Sequence, residues 1–438
     1  MKPSRLLAGL LVLTLVVVTI GIAFPPTTPS DVGGTQSYVD EPVQVEGGEI
    51  DANQTALWGW TQRAMGQNVD ATPTIVIRDF GSMGGGTAVQ TQATEFQRLM
   101  VYDDPDQQPP GGVLAFVTAF STDVNVNADL LPAVRNGTSG RTVEGLLVHE
   151  YAHVVQFQTP AFGENQLVAI SATSDERAAY TAMVEGGAEF VADAYTNDSA
   201  VERVREYWND PSTSAAARYG QWPYYRGLVY LDQRLDDPEQ LWGIYRDRPQ
   251  ASATILRGEA PGDGPPNRSI SMELGGYHTE VRDRPGAMLA EIALTREIDP
   301  ERARTIAAGW QWGALRSVQL DGGAETDRSL RHVWVTEWRS ESAAEEFESA
   351  MTEYLDGRWT AENGTWDAGD GPSFELERVD DDAVALLVGP ESFLAEATVT
   401  VDGDEYTIQE TAGGAAARVS ASFGSTAVHG GAPVGAGA

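Results

Sequence analysis

The run Leu146-Leu147-Val148-His149-Glu150-Tyr151-Ala152-His153-Val154-Val155 constrains this chain more than any other segment. Its flanks are uncharged and aliphatic, and no proline or glycine interrupts His149 through Gln158, so it predicts a helix that is buried. His149 and His153 stand four apart. At 3.6 residues per turn both imidazoles leave one face of the helix and can close on a single metal ion. Glu150 lies one step round, able to reach a water on that metal while the histidines keep the ligand positions. The competing expectation is a buried helix whose histidines are satisfied by hydrogen bonds alone.

A second helix is expected from Asp175 to Tyr195, announced by Thr173 and Glu176 in capping-box spacing. Its interior reads Val184-Glu185-Gly186-Gly187-Ala188-Glu189-Phe190. Two histidines leave a zinc ion short of a protein ligand, and Glu185 can supply it. The 31 residues between His153 and Glu185 allow a loop and an antiparallel return that brings the second helix beneath the first. Glu189, one turn beyond Glu185, can accept the free ring N–H of a ligand histidine and so fix its tautomer. Gly186 and Gly187 each cost about 1 kcal/mol in a helix interior relative to alanine. Close approach of the two helices around a metal is the expected reason for them. The alternative reading of Glu185 and Glu189 is a solvated acidic face.

His149-Glu150-xx-His153 followed by Glu185-Gly186-x-Ala188-Glu189 resembles the gluzincin group of zinc metallopeptidases, the thermolysin-like and aminopeptidase-like families. About 50 residues, 145 to 195, carry the resemblance. It implies a zincin-like fold with a helical lower half, zinc held by His149, His153 and Glu185, and Glu189 supporting a ligand histidine. It also implies Glu150 as general base toward a protein or peptide substrate. Those families place a tyrosine or histidine near the oxyanion. Here Tyr224 or Tyr225, in Gln221-Trp222-Pro223-Tyr224-Tyr225-Arg226-Gly227, are the candidates, with His278 as an alternative. A strand preceding the zinc helix is expected, again by resemblance, to border the cleft and bind substrate backbone by strand addition. The acidic chain also resembles haloarchaeal surface proteins of unassigned function.

Residues 1–24 open with Lys2 and Arg5 and continue uncharged from Leu6 to Phe24, long enough to span a bilayer. Ile22-Ala23-Phe24-Pro25-Pro26 offers no clean small-residue cleavage site, which favours an uncleaved anchor over a cleaved signal peptide. Positive charge before the span and acid after it orient the remaining chain outside the cell. Residues 25–55, with a start rich in Pro, Thr, Ser and Gly, are expected to be an extracellular linker.

The formal net charge is -35, and Lys2 is the only lysine among 29 basic residues. Such a surface repels itself in dilute buffer; at molar salt, where the Debye length is about 3 Å, the repulsion is screened. The composition therefore points to a high-salt setting and makes nucleic acid a poor partner. With no cysteine, stability owes nothing to disulfides. Five Asn-x-Ser/Thr sequons, at Asn53, Asn136, Asn197, Asn267 and Asn363, permit glycosylation.

The expected class is α+β. Thr74 to Phe80 and Gly112 to Phe120 read as strands before the zinc helix, and Gly81 to Gly86 as a loop. The metallopeptidase-like region is expected to cover 56–257. Helices are expected at Val201 to Trp208, Tyr224 to Leu235, Leu241 to Arg246 and Met288 to Ala308, with a break at Gly258 to Asn267. Residues 268–358 then give a helix, two strands (Trp310 to Leu320, Arg331 to Trp338) and a helix (Ser340 to Leu355), with Trp310, Trp312, Trp334 and Trp338 expected in the core rather than on a binding surface. A small β appendage is expected over 359–411, with turns at Asp380-Asp381-Asp382 and Asp402-Gly403-Asp404, and a disordered Gly/Ala-rich tail over 412–438. Three functions compete: an anchored extracellular zinc metallopeptidase, a non-enzymatic surface protein that keeps the fold for binding or structure, and a zinc hydrolase acting on an ester or a non-peptide amide.

Overall fold

A computed structural model gives the fold and describes residues 41–80, 94–103, 114–118, 121–136, 141–160, 162, 172–197, 200–262, 264–321, 330–369 and 371–411. The expected anchor, most of the linker, the Gly81–Gly86 loop and the Gly/Ala-rich tail lie outside these. Among the described residues no helix is long and apolar enough to cross a membrane.

The chain enters through β1 (Gln44–Glu46) and α1 (Gln54–Ala64), whose cap Asn53 accepts from Ala56 N. The β-branched run of β2 (Thr74–Arg78) follows, then α2 (Glu95–Val101), β3 (Ala115–Val117), β4 (Asp123–Asn127) and α3 (Leu131–Arg135). The strands form one sheet in the order β1-β2-β4-β3, parallel except for β3, which runs antiparallel at the edge with Phe116 opposite Asn125. The sequence reading anticipated β2 and β3 but missed β1 and β4, short segments without a long β-branched run.

Thr142 caps α4 (Val143–Gln158) by accepting from Gly145 N, and thirteen of its sixteen residues are buried. It packs against α1 on one side and β3 on another. The capping box at Thr173 and Glu176 is formed in both directions and starts α5 (Ser174–Thr196), which ends where Asn197 turns left-handed. After α6 (Ala200–Asn209) comes α7 (Ala215–Asp232). This helix begins nine residues before the expected Tyr224 and runs through Pro223, which interior proline disfavours by about 3 kcal/mol. Burial of Trp222, Tyr225, Leu228 and Leu231 along α7 offsets that cost.

Two short helices, α8 (Leu241–Arg246) and α9 (Ser252–Arg257), precede β5 (Ser269–Glu273) and β6 (Tyr277–Asp283). The single helix expected over Met288 to Ala308 is two, α10 (Gly286–Leu294) and α11 (Pro300–Ala308), because Asp299 caps a new start with Pro300 at its first position. The long hairpin β7 (Trp310–Leu320) and β8 (Arg331–Trp338) and the helix α12 (Glu341–Arg358) occur as expected.

The remaining strands are β9 (Thr360–Glu362), β10 (Thr365–Asp367), β11 (Ser373–Asp380) and β12 (Ala383–Gly389), followed by α13 (Glu391–Glu396), β13 (Ala397–Asp402) and β14 (Glu405–Glu410). They do not stand apart as an appendage. One sheet runs β6-β7-β8-β12-β11-β10-β9, so strands from 268–358 and from 359–411 share it. The physical reason is two-sided burial. In β8 and β12, Trp334, Val384, Leu386 and Val388 face the helical core, while Val333, Val335, Ala385 and Leu387 join a second core against the sheet β13-β14-β5. Trp310, Trp312, Trp334 and Trp338 are buried in these cores. The mixed helices and sheets make the chain α+β, and its described residues fall within a single compact unit.

Candidate metal centre

α4 and α5 bring His149, His153 and Glu185 together. The two histidine Nε2 atoms are 3.1 Å apart, and Glu185 Oε2 is 3.6 Å from His149 Nε2 and 3.3 Å from His153 Nε2. In a tetrahedral metal site with bonds of about 2.0–2.1 Å, ligand atoms stand about 3.3 Å from one another. The triangle therefore has the edge length such a site requires. Both histidines are buried, and the Glu185 side chain retains 21% exposure, so the cluster opens on one side.

The outward nitrogens explain why the inward ones meet. His153 Nδ1 is 2.8 Å from Gln156 Oε1, an acceptor, so Nδ1 carries the hydrogen and Nε2 presents a lone pair. His149 Nδ1 lies 3.3 Å from Glu189 Oε1, too poorly aligned for a full hydrogen bond but close enough for the carboxylate to favour the same tautomer. Glu189 is in turn ion-paired with Arg141, the residue before the α4 cap. With a hydrogen favoured on each Nδ1, both Nε2 atoms and a carboxylate oxygen point at one another, and the convergence calls for a positive charge among them, a proton or a metal ion.

Electrostatics within the cluster agree. Burial lowers the His153 imidazole pKa, but the Glu185 carboxylate and its hydrogen bond outweigh this and raise it to about 9. Burial raises Glu185 and the charge of His153 more than reverses it, holding that carboxyl well below its usual range. Protons can serve the Glu185–histidine edges, whereas a divalent ion serves all three at once. Glu189 is raised by burial and lowered further by Arg141, so it stays ionised.

Glu150 is buried beside the cluster with Oε2 lacking a hydrogen-bond partner. Burial raises its pKa, with the two histidines opposing and Glu185 reinforcing the rise. The ring of Tyr224, half-buried on α7, lies parallel to His149 with centroids 6.0 Å apart. Burial, then Glu185 and Glu150, raises its phenol well above the ordinary value, so it remains a donor.

Two sequence candidates are not brought to the cluster. Tyr225 is a core residue, packed on Trp208 at 5.1 Å and beneath the Arg226 guanidinium, because one residue along α7 turns it about 100° from Tyr224. His278 lies on β6, with Nδ1 2.6 Å from Asp321 and Nε2 2.9 Å from Glu280. The glycine pair also has a different cause from the one expected. A Cβ at Gly186 would overlap the backbone of Gly227 on α7, and one at Gly187 would overlap the Tyr245 hydroxyl. The glycines admit α7 and α8, and Gly187 also leaves close room for Gln156 of α4.

Sequence reasoning missed Gln156, Tyr245 and Arg141. Gln156 carried a signal: an amide on a buried helix, three residues after His153, must find partners. Nothing local placed Arg141 or Tyr245.

Residues 277–399 match the family described as Domain of unknown function (DUF8575). This region covers β6 to β12 and the start of β13, and contains none of His149, His153, Glu185, Glu150 or Glu189. No curated protein and no solved structure matches the chain.

Proposed function

We propose that this chain is a zinc metallopeptidase of gluzincin type that hydrolyses peptide bonds in proteins or peptides. The observation that carries the reading is the convergence of His149 Nε2, His153 Nε2 and Glu185 Oε2 at tetrahedral edge lengths, beside an unpartnered Glu150 oxygen. Two imidazoles and one carboxylate suit zinc and leave a position for water. Bound there, zinc supplies a Lewis acid that acidifies water and polarises a carbonyl.

The protein groups divide the remaining work. Glu150, with its raised pKa, takes the proton of the attacking water and passes it to the leaving amine. Tyr224 donates its hydroxyl hydrogen to the carbonyl oxygen as that oxygen gains negative charge. Glu189, held by Arg141, keeps the His149 ring in its ligating tautomer. The antiparallel edge strand β3, packed on α4, is where an extended substrate would add as a further strand. The run Leu6 to Phe24 behind Lys2 and Arg5 supports attachment to a membrane with the folded chain outside.

The test is metal content. Protein purified in molar salt and reconstituted with zinc is expected to hold about one ion per chain, and the His153→Ala variant none. No zinc in either protein sinks the enzyme reading.

A further inference from the structure

We infer that Gln156 is a positioning residue that sets the tautomer and aim of His153 and ties that ligand to the segment bearing Glu185. The inference rests on the metal-site reading above and adds to it a residue with no place in the ligand set. Gln156 is fully buried at the last turn of α4. Its amide makes three contacts. Oε1 faces His153 Nδ1 at 2.8 Å, and Nε2 faces the carbonyl oxygen of Val184 at 3.0 Å and the hydroxyl of Tyr245 at 2.7 Å.

These contacts allow one orientation of the amide. Val184 offers a carbonyl, which can only accept, so the NH2 end of Gln156 must face it. The oxygen end is then left for His153, whose Nδ1 must donate, and the ligating lone pair falls on Nε2. The polarity is dictated by a backbone carbonyl and is not a choice between equivalent flips. Val184 is also the residue immediately before Glu185, so the same amide that orients one ligand grips the backbone leading into another. Gln156 therefore spans the two helices at the point where their ligands meet.

Tyr245 closes the arrangement from α8. Its hydroxyl reaches Gln156 only because residue 187 has no side chain, since a Cβ there would overlap that hydroxyl. Trp242 and Phe162 pack edge-on to the Tyr245 ring, which is buried and fixed. Gly187, otherwise unfavourable inside α5, makes room for the group that holds the positioning residue. The two ligand histidines thus have different supports. His149 leans on a carboxylate balanced by Arg141, and His153 on a neutral amide, which limits the negative charge concentrated behind the site.

The experiment measures zinc affinity by chelator competition, with the visible spectrum of the cobalt-substituted protein, for the full chain in molar salt. Wild type, His153→Ala, Gln156→Leu and Tyr245→Phe are compared. Loss of an outer hydrogen-bond partner weakens metal binding by about 10- to 100-fold. That loss is expected for Gln156→Leu, with a smaller loss of several-fold for Tyr245→Phe and altered cobalt bands in both. If wild type binds no more zinc than His153→Ala, the metal-site reading fails and this inference goes with it. If wild type binds zinc and Gln156→Leu binds as tightly with an unchanged cobalt spectrum, the site stands and the role of Gln156 is overturned. Should Gln156→Leu not fold, Tyr245→Phe decides: reduced stability with wild-type affinity and cobalt spectrum overturns the inference.

Discussion

The rings of Tyr224 and His149 lie nearly parallel, 17° between planes, with centroids 6.0 Å apart. The contact places a phenol next to a metal-ligand candidate, whereas Tyr225 is turned into the core against Trp208. Tyr224→Phe is expected to lower kcat by about 100-fold or more, the cost of removing one oxyanion donor, and to leave zinc content unchanged. Tyr225→Phe should turn over as wild type does. Steady-state kinetics on both variants check the assignment, and equal effects would remove Tyr224 from the mechanism.

Glu150 occupies a buried position with one oxygen unpartnered, the arrangement of a base awaiting a proton. Glu150→Gln keeps shape and removes basicity. It is expected to retain zinc and to lose about 10²- to 10⁴-fold in turnover. Hydrolysis at the wild-type rate by this variant would exclude Glu150 as the general base.

Glu189 lies between Arg141 and His149, so its removal acts in two ways. Glu189→Ala frees the His149 ring and removes the carboxylate paired with Arg141. Zinc affinity should fall by about 10- to 100-fold, read by competition with a coloured chelator. Wild-type affinity would show that His149 needs no carboxylate behind it.

Gly186 meets the backbone of Gly227 and Leu228 where α5 crosses α7. Alanine gains about 1 kcal/mol in helix propensity but must displace main-chain atoms that have no rotamer to escape to. The clash wins, and Gly186→Ala should be less stable by about 2 kcal/mol, within the range for overpacked sites. Denaturant midpoints at constant salt measure it; a stabilised variant would mean the crossing is looser than described.

Asp175 is fully buried and accepts from Ser252 N at 2.9 Å and from the Ser252 hydroxyl. Burial raises its pKa from 3.8 to about 6, with the Ser252 hydrogen bonds and Arg284 opposing and Glu176 adding to the rise. The folded state then binds this proton more tightly than the unfolded chain, so ionisation opposes folding. The Asp175 contribution to stability is best below pH 3.8, declines as pH rises through the interval, and levels off above pH 6. Two units correspond to about 3 kcal/mol. Relative to Asp175→Asn, wild type should lose most of that, about 2 kcal/mol, between pH 4 and pH 7, followed by paired unfolding curves; a constant difference would remove Asp175 as the source.

Local pattern alone determined a good deal of this protein. The unbroken aliphatic run fixed α4 as a buried helix, the spacing of His149 and His153 put both imidazoles on one face, and the Thr173–Glu176 capping box started α5. The alternating strands of the β7–β8 hairpin and the turns near Asp381 and Gly403 were equally plain. Each of these rests on dihedral preference and side-chain period, which act over a few residues.

Tertiary structure decided what lies beyond that range. Whether Tyr224 or Tyr225 faces the His149–His153–Glu185 cluster depended on the rotation of α7, which packing against α5 settles. Gln156 and Tyr245 meet across 89 residues of sequence, and the two glycines answer to close neighbours on α4, α7 and α8. The joining of β8 to β12 likewise followed from burying both faces of one sheet. A sequence states which side each helix or strand must hide; the crossings that satisfy all those demands at once are a property of the whole packed core.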